Sequence, residues 1–117
     1  MPDILRNRLE TVLEALELIE RRMTSIKTAD DFVDTEEGLL IMDAIAIRLQ
    51  VIGETAKKID LQFPDFLPSI GIDPKPIIRF RDFISHHYDE VDYEVLFEIC
   101  TKHLPLLKEK LEPNKDL

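Results

Sequence analysis

Residues 34–59 read DTEEGLLIMDAIAIRLQVIGETAKKI. Asp34 stands as an N-cap with Glu37 three residues on, a capping-box-like start for a helix. Met42, Ile45, Leu49, Ile52, Ala56 and Ile59 then recur at steps of three and four, one stripe along that helix. Leu40, Ile41, Ala44, Ala46, Ile47 and Val51 widen the stripe until most of the surface is apolar. Such a helix is either the central, most buried one of a bundle or one that presents a second face to another subunit.

Upstream, Leu5, Leu9, Val12, Leu13, Leu16, Ile19, Met23 and Ile26 trace another amphipathic helix. Arg6, Arg8, Glu10, Glu14, Glu17 and Arg21 fill the remaining positions as a solvated face. The stretch from Thr28 to Phe32 carries no sustained period. Downstream, Pro64, Pro68, Gly71, Pro74 and Pro76 punctuate a loop from Leu61 to Pro76, expected to pack through Phe63, Phe66 and Leu67. A short third helix is expected from Pro76, with Ile77, Phe80, Phe83, Ile84 and His87 on its core side. Asp92 can cap a fourth, carrying Leu96, Ile99, His103, Leu107 and Leu111 and kinked at Pro105, which lacks a backbone donor. The tail from Glu112 to Leu117 is expected to fray. The expected fold is all-α: an antiparallel four-helix bundle with a proline-rich loop before its third helix, occupying residues 1–117 as a single domain.

The whole chain has 117 residues, enough for one core without disulfides or structural metal. A hydrophobic fraction of 44% with 33% charged residues describes a globular helical protein rather than a disordered tail. The net charge of −9 repels a phosphate backbone, so any nucleic-acid role must be local. A single cysteine, Cys100, cannot form an internal disulfide, and Asp3 and Arg6 stand where a signal peptide needs apolar residues. The apolar run at 38–47 is interrupted by Asp43, far short of the roughly 20 residues that span a bilayer. A cytoplasmic protein is expected.

Chemistry concentrates in one segment, Arg79-Phe80-Arg81-Asp82-Phe83-Ile84-Ser85-His86-His87-Tyr88. Between Lys75 and Tyr88 three cations oppose one carboxylate in a strongly acidic chain. Cleaving a phosphodiester through the RNA 2′-hydroxyl needs a group that moves protons near neutral pH and a cation for the phosphorane charge, roles suited to histidine and arginine. On a regular helix, Arg81 and His86 lie about 140° apart around the axis. Either the helix ends or distorts before His86, or a second copy of the chain completes the site. Asp82, four residues before His86, can orient the imidazole. His87, at core spacing, reads as a buried structural histidine. Arg81 and His86 equally fit an ordinary helix surface with Tyr88 packing at its end. Cys100 and His103 lack the second closely spaced pair of a zinc site, so no metal is expected, and no phosphate-binding glycine loop or nucleophile elbow is present.

The run from Arg81 to Tyr88 resembles the R-x-x-x-x-H-x-Y signature of HepT-like proteins in the HEPN superfamily. Ile52-Gly53-Glu54-Thr55-Ala56-Lys57 is similar to that family's I-G-E-A-x-K stretch, and the likeness extends to Asp92 and to residues 104–108. The resemblance implies a helical bundle that dimerises, two Arg/His motifs at a shared cleft, and a metal-independent endoribonuclease without cofactor acting on cellular RNA. It implies that Arg81 stabilises the phosphate charge, that His86 acts as acid or base, and that Asp82 stands where the family often has asparagine. It further implies a toxin–antitoxin pair in which an MNT-type nucleotidyltransferase antitoxin adenylylates Tyr88. The tryptophan often found before the motif is absent. The competing readings are a non-catalytic HEPN helical partner that binds and positions a nucleotidyltransferase, and a plain helical interaction domain.

Overall fold

A computed structural model describes residues 1–115, and within them every regular element is helical. Helix α1 (Asp3–Arg22) carries Asp3 in its first turn and Arg21 and Arg22 in its last, charges that complement the helix ends. Its buried residues Leu5, Leu9, Val12, Leu13, Leu16 and Ile19 are the stripe read from sequence, joined by Ala15.

The connection to the next helix holds more order than its sequence suggests. After a 3-10 turn at Met23–Ser25, a second one at Ala29–Phe32 is held by Asp31, whose Oδ2 accepts from the backbone N–H groups of Lys27 (2.7 Å) and Thr28 (3.0 Å). Phe32 is fully buried and meets Phe97 edge-on at 6.4 Å between ring centroids. This short segment therefore belongs to the core.

Helix α2 (Glu36–Gln62) starts one residue later than expected. Its N-cap is Thr35, not Asp34, with the hydroxyl accepting from Gly38 N at 2.9 Å. Ile45, Leu49, Ile52, Ala56 and Ile59 lie in the core, and cutting any of the fully buried isoleucines to alanine costs about 2–5 kcal/mol. The opposite side of α2 is open: Leu39, Leu40 and Ile47 are 45%, 63% and 57% exposed.

The proline-rich stretch contains one helical turn, α3 (Phe66–Ser69), with Leu67 buried beneath it. Gly71 follows at φ 81°, a left-handed conformation that favours glycine, and its carbonyl accepts from Lys110 Nζ at 2.8 Å. Helix α4 (Pro74–His87) begins two residues before the expected Pro76, because Asp73 caps it through Lys75 N (3.0 Å) and both prolines fit a first turn that needs no donors.

The last column is continuous but changes pitch. Asp92 caps α5 (Tyr93–Glu98), accepting from Glu94 N at 2.8 Å. A π turn at Ile99–His103 leads into α6 (Leu104–Leu111). Pro105 cannot donate to the carbonyl one turn back, and the wide turn just before it, closed by Leu104 N–H to Ile99 O, absorbs the missing bond where a kink was expected. The tail, expected to fray, forms a 3-10 turn at Glu112–Asn114; the rest of that expectation falls on residues 116 and 117, outside the described residues.

Polar pairs give the sense of packing: α2 residues Asp43, Gln50 and Glu54 meet Tyr88, Ser85 and Arg81, so α2 and α4 run antiparallel. Lys108 Nζ reaches Glu20 at 2.9 Å and ties α6 to α1. None of the described helices is long and apolar enough to cross a membrane.

Candidate active site

Arg81 stands on the side of α4 that faces α2, and the close approach there depends on Gly53. A side-chain carbon on Gly53 would fall 2.6 Å from Arg81 Cγ and 3.3 Å from the Ile77 carbonyl. With nothing at that position, the two helices draw together and the Arg81 stem lies across α2. Its guanidinium then donates from Nη2 to Glu54 Oε1 at 2.8 Å and from Nη1 to Asp82 Oδ1 at 2.9 Å. These bonds, Glu54 first and Asp82 second, raise the Arg81 pKa above its ordinary value against an opposing effect of burial. The Arg81 Nε is buried and has no hydrogen-bond partner among the described residues.

Two further pairs continue the same seam toward the end of α4. Gln50 Nε2 donates to Ser85 Oγ at 3.2 Å, and the Tyr88 hydroxyl donates to Asp43 Oδ1. Half-burial, then the hydrogen bond to Asp43, then its negative charge hold the Tyr88 phenol above its usual range, so it stays neutral at physiological pH. Arg81, Ser85 and Tyr88 each meet a partner on α2 along this seam. Asp43, Gln50 and Glu54 were missed as functional candidates. The only signal for Asp43 was a carboxylate breaking an apolar run, and Glu54 appeared only within the family-like stretch.

His86 lies on α4 as expected but points elsewhere. The helix runs unbroken to His87, so it neither ends nor distorts before His86, and the side chain is exposed about 140° around the axis from Arg81. Within one chain the structure does not bring the two together. Asp82 is ion-paired with its neighbour Arg81 rather than with His86.

Two histidines read as core residues are exposed. His87 packs its ring against Phe83 at 5.5 Å, and Phe83 is itself 38% exposed. The stripe on α4 drifts around the axis, so Ile77, Phe80 and Ile84 face the bundle while Phe83 and His87 pass its edge. His103 is exposed beside the π turn, while Cys100 is buried with its thiol pushed up to about 12 by burial. Among the described residues no group of three or more His, Cys, Asp or Glu side chains is arranged to hold a metal ion.

What remains is a cation held by two carboxylates at a helix seam, an exposed imidazole one turn further on, and a neutral phenol anchored to an aspartate. Residues 12–113 match the family model described as "Ribonuclease HepT-like". The chain is 33% identical over 107 residues to the "Probable ribonuclease HepT" of Thermococcus cleftensis, an alignment covering 92% of each. It is also 33% identical over 103 residues to a "Gamma-glutamylcyclotransferase and putative RNase" of Methanocaldococcus jannaschii, covering 88% of this chain but 44% of that protein. The chain thus spans less than half of the second relative and nearly all of the first. No solved structure matches it significantly.

Proposed function

The chain belongs to the HepT-like ribonucleases of the HEPN superfamily, and on that premise we propose that it is a metal-independent, cofactor-free endoribonuclease whose working unit is a homodimer. In this reading residues 1–117 are one HEPN/HepT-like domain. The observation that carries it is the family motif on α4: Arg81 at the seam with α2, held in place by Glu54 and Asp82, with His86 exposed to solvent on another face.

The chemistry is a transesterification. The 2′-oxygen of the RNA attacks the adjacent phosphorus, the bond to the 5′-oxygen breaks, and a 2′,3′-cyclic phosphate forms. Arg81 stabilises the phosphorane charge, and His86 takes the 2′-hydroxyl proton or delivers one to the departing 5′-oxygen. Because a regular helix keeps these side chains on different faces, Arg81 of one copy works with His86 of another across a two-fold cleft. The exposed apolar side of α2, next to the Arg81 seam, supports that arrangement.

The protein further acts as the toxin of a cytoplasmic toxin–antitoxin pair. An MNT-type nucleotidyltransferase antitoxin silences it by adenylylating Tyr88, which sets a bulky negative charge beside the RNA cleft.

The test is cleavage of total cellular RNA by purified protein in excess EDTA, with Arg81→Ala, His86→Ala and His87→Ala alongside. Cleavage leaving cyclic phosphate ends, lost in the first two variants and kept in the third, is the expected result. Chelator-sensitive cleavage, or the same cleavage in all variants, overturns the mechanism. A second reading draws on the two carboxylates already paired with Arg81: a non-catalytic HEPN partner that binds and positions the nucleotidyltransferase. Absence of cleavage by a folded, unmodified dimer selects it.

A further inference from the structure

We propose that Asp43 is the proton acceptor for Tyr88 in adenylyl transfer, so that the acceptor protein itself brings the base that its modification needs. This rests on the reading of Tyr88 as the modified residue.

The pair is built by tertiary structure. Asp43 lies on α2 and Tyr88 just beyond the end of α4, 45 residues apart, and the Tyr88 hydroxyl donates to Asp43 Oδ1. Asp43 is exposed among Leu40, Ile47 and the other apolar residues of that side of α2, where a carboxylate contributes nothing to packing. It has no ion-pair partner among the described residues, so its polar partner is the phenol. The Tyr88 ring is half-buried, which limits its freedom, and it opens the 3-10 turn Tyr88–Glu90 that closes α4.

A neutral phenol is a weak nucleophile, and this one is held neutral by burial and by Asp43. Transfer to it needs a base that takes the proton as the new bond forms. An aspartate hydrogen-bonded to the attacking hydroxyl serves that purpose in protein kinases, although its ordinary pKa is far below that of the acceptor. Here the nucleotidyltransferase supplies a nucleoside triphosphate. Tyr88 Oη forms a bond to the α-phosphorus, the bond from that phosphorus to the β-phosphate bridging oxygen breaks, and pyrophosphate leaves. The phenolic proton passes to Asp43 and from there to solvent.

Asp43→Asn separates this role from a merely structural one, because the amide oxygen still accepts the hydroxyl hydrogen bond but takes up no proton. The experiment uses the full chain, a purified MNT-type nucleotidyltransferase from the same genome and α-labelled ATP, with the labelled residue located by peptide mass spectrometry. Asp43→Asn is expected to keep the melting temperature and the KM of the parent as acceptor, and to lose about 100-fold in kcat for label on Tyr88. Its rate is expected to climb about tenfold per pH unit between about pH 7 and about pH 9, tracking the phenolate, while the parent stays flat. Asp43→Glu, which keeps a carboxylate, recovers part of the rate and serves if the asparagine variant does not fold. Equal kcat and the same pH profile in parent and Asp43→Asn, or no activity above the asparagine level in a folded Asp43→Glu, overturn the role of Asp43 and leave modification of Tyr88 standing. A parent that takes no label on Tyr88 overturns the adenylylation reading and this role with it.

Discussion

Gly53 on α2 is the floor beneath Arg81 on α4: a side-chain carbon there would sit 2.6 Å from Arg81 Cγ, inside any tolerable contact. Neither the Arg81 stem nor the Ile77 carbonyl behind it is a flexible tip that can swing aside. Gly53→Ala therefore pushes α2 and α4 apart and should cost about 1–3 kcal/mol, the usual range for overpacking. Thermal unfolding and RNA cleavage measured on the same preparation check it, with both expected to fall. An alanine variant as stable and active as the parent would show that the helices need not approach this closely.

Glu54 and Asp82 hold the same guanidinium from different elements and should behave oppositely. Glu54 fixes Arg81 from the neighbouring helix, so Glu54→Gln lets the guanidinium drift and lowers the cleavage rate by roughly tenfold, as lost positioning does. On the proposed mechanism Asp82, already paired with Arg81 Nη1, competes with RNA phosphate for it, so Asp82→Asn should strengthen RNA binding and raise cleavage several-fold. Both pairs are partly exposed, so the melting temperature should move little. KM and kcat for a defined RNA distinguish the two.

Burial ties two protons to the alkaline limb of stability. Cys100 is raised from 9.0 to about 12 by burial, and Tyr88 is raised above its ordinary 10.0 by burial and Asp43. The folded chain keeps protons that the unfolded chain releases, so stability falls as pH rises. The Cys100 contribution is complete below pH 9.0 and is lost as pH rises through about 12, while that of Tyr88 is complete below 10.0 and is lost at higher pH still. Denaturant titrations across that range should show the decline, with a shallower one in Cys100→Ala and in Tyr88→Phe. The native thiol should also resist alkylation at neutral pH and label only on unfolding.

At the acid end the sign reverses. Asp31 is held below its ordinary 3.8 chiefly by the Thr28 and Lys27 backbone N–H groups. Its stabilising effect is present above 3.8 and is lost as pH falls through the lower folded value. Asp31→Asn should flatten that acid loss and loosen the turn that seats Phe32, read by urea unfolding at pH values on either side.

The proposed dimerisation through α2 makes a direct prediction. Leu40→Glu together with Ile47→Glu places charge on an exposed apolar surface without touching the core. The monomer should remain folded by circular dichroism, its mass by light scattering should halve, and cleavage should disappear. An unchanged mass would move the interface elsewhere.

Much of this molecule is written in short-range pattern. The stripes of α1 and α2 are legible because steps of three and four residues match the turn of a helix, and Asp92 is legible as a cap because its side chain serves backbone groups two residues away. Errors arose where neighbours decide. Thr35 rather than Asp34 begins α2, Phe32 enters the core from a segment without period, and His87 lies outside it although its spacing is right. A stripe wide enough to take in Phe83 and His87 does not say where the adjoining helix stops covering it.

By itself the sequence determined that the chain is all-helical, where its main breaks fall, and that Arg81, His86 and Tyr88 share one short segment. Those properties depend on backbone propensity and on contacts a turn apart. The tertiary structure alone decided what each of these groups faces. Glu54 reaches Arg81 across 27 residues and Asp43 reaches Tyr88 across 45, along a seam between α2 and α4 whose close approach at Arg81 the missing side chain of Gly53 allows. The charge state and orientation of a side chain follow from partners within a few ångströms, and partners that distant in sequence become neighbours only when the helices pack.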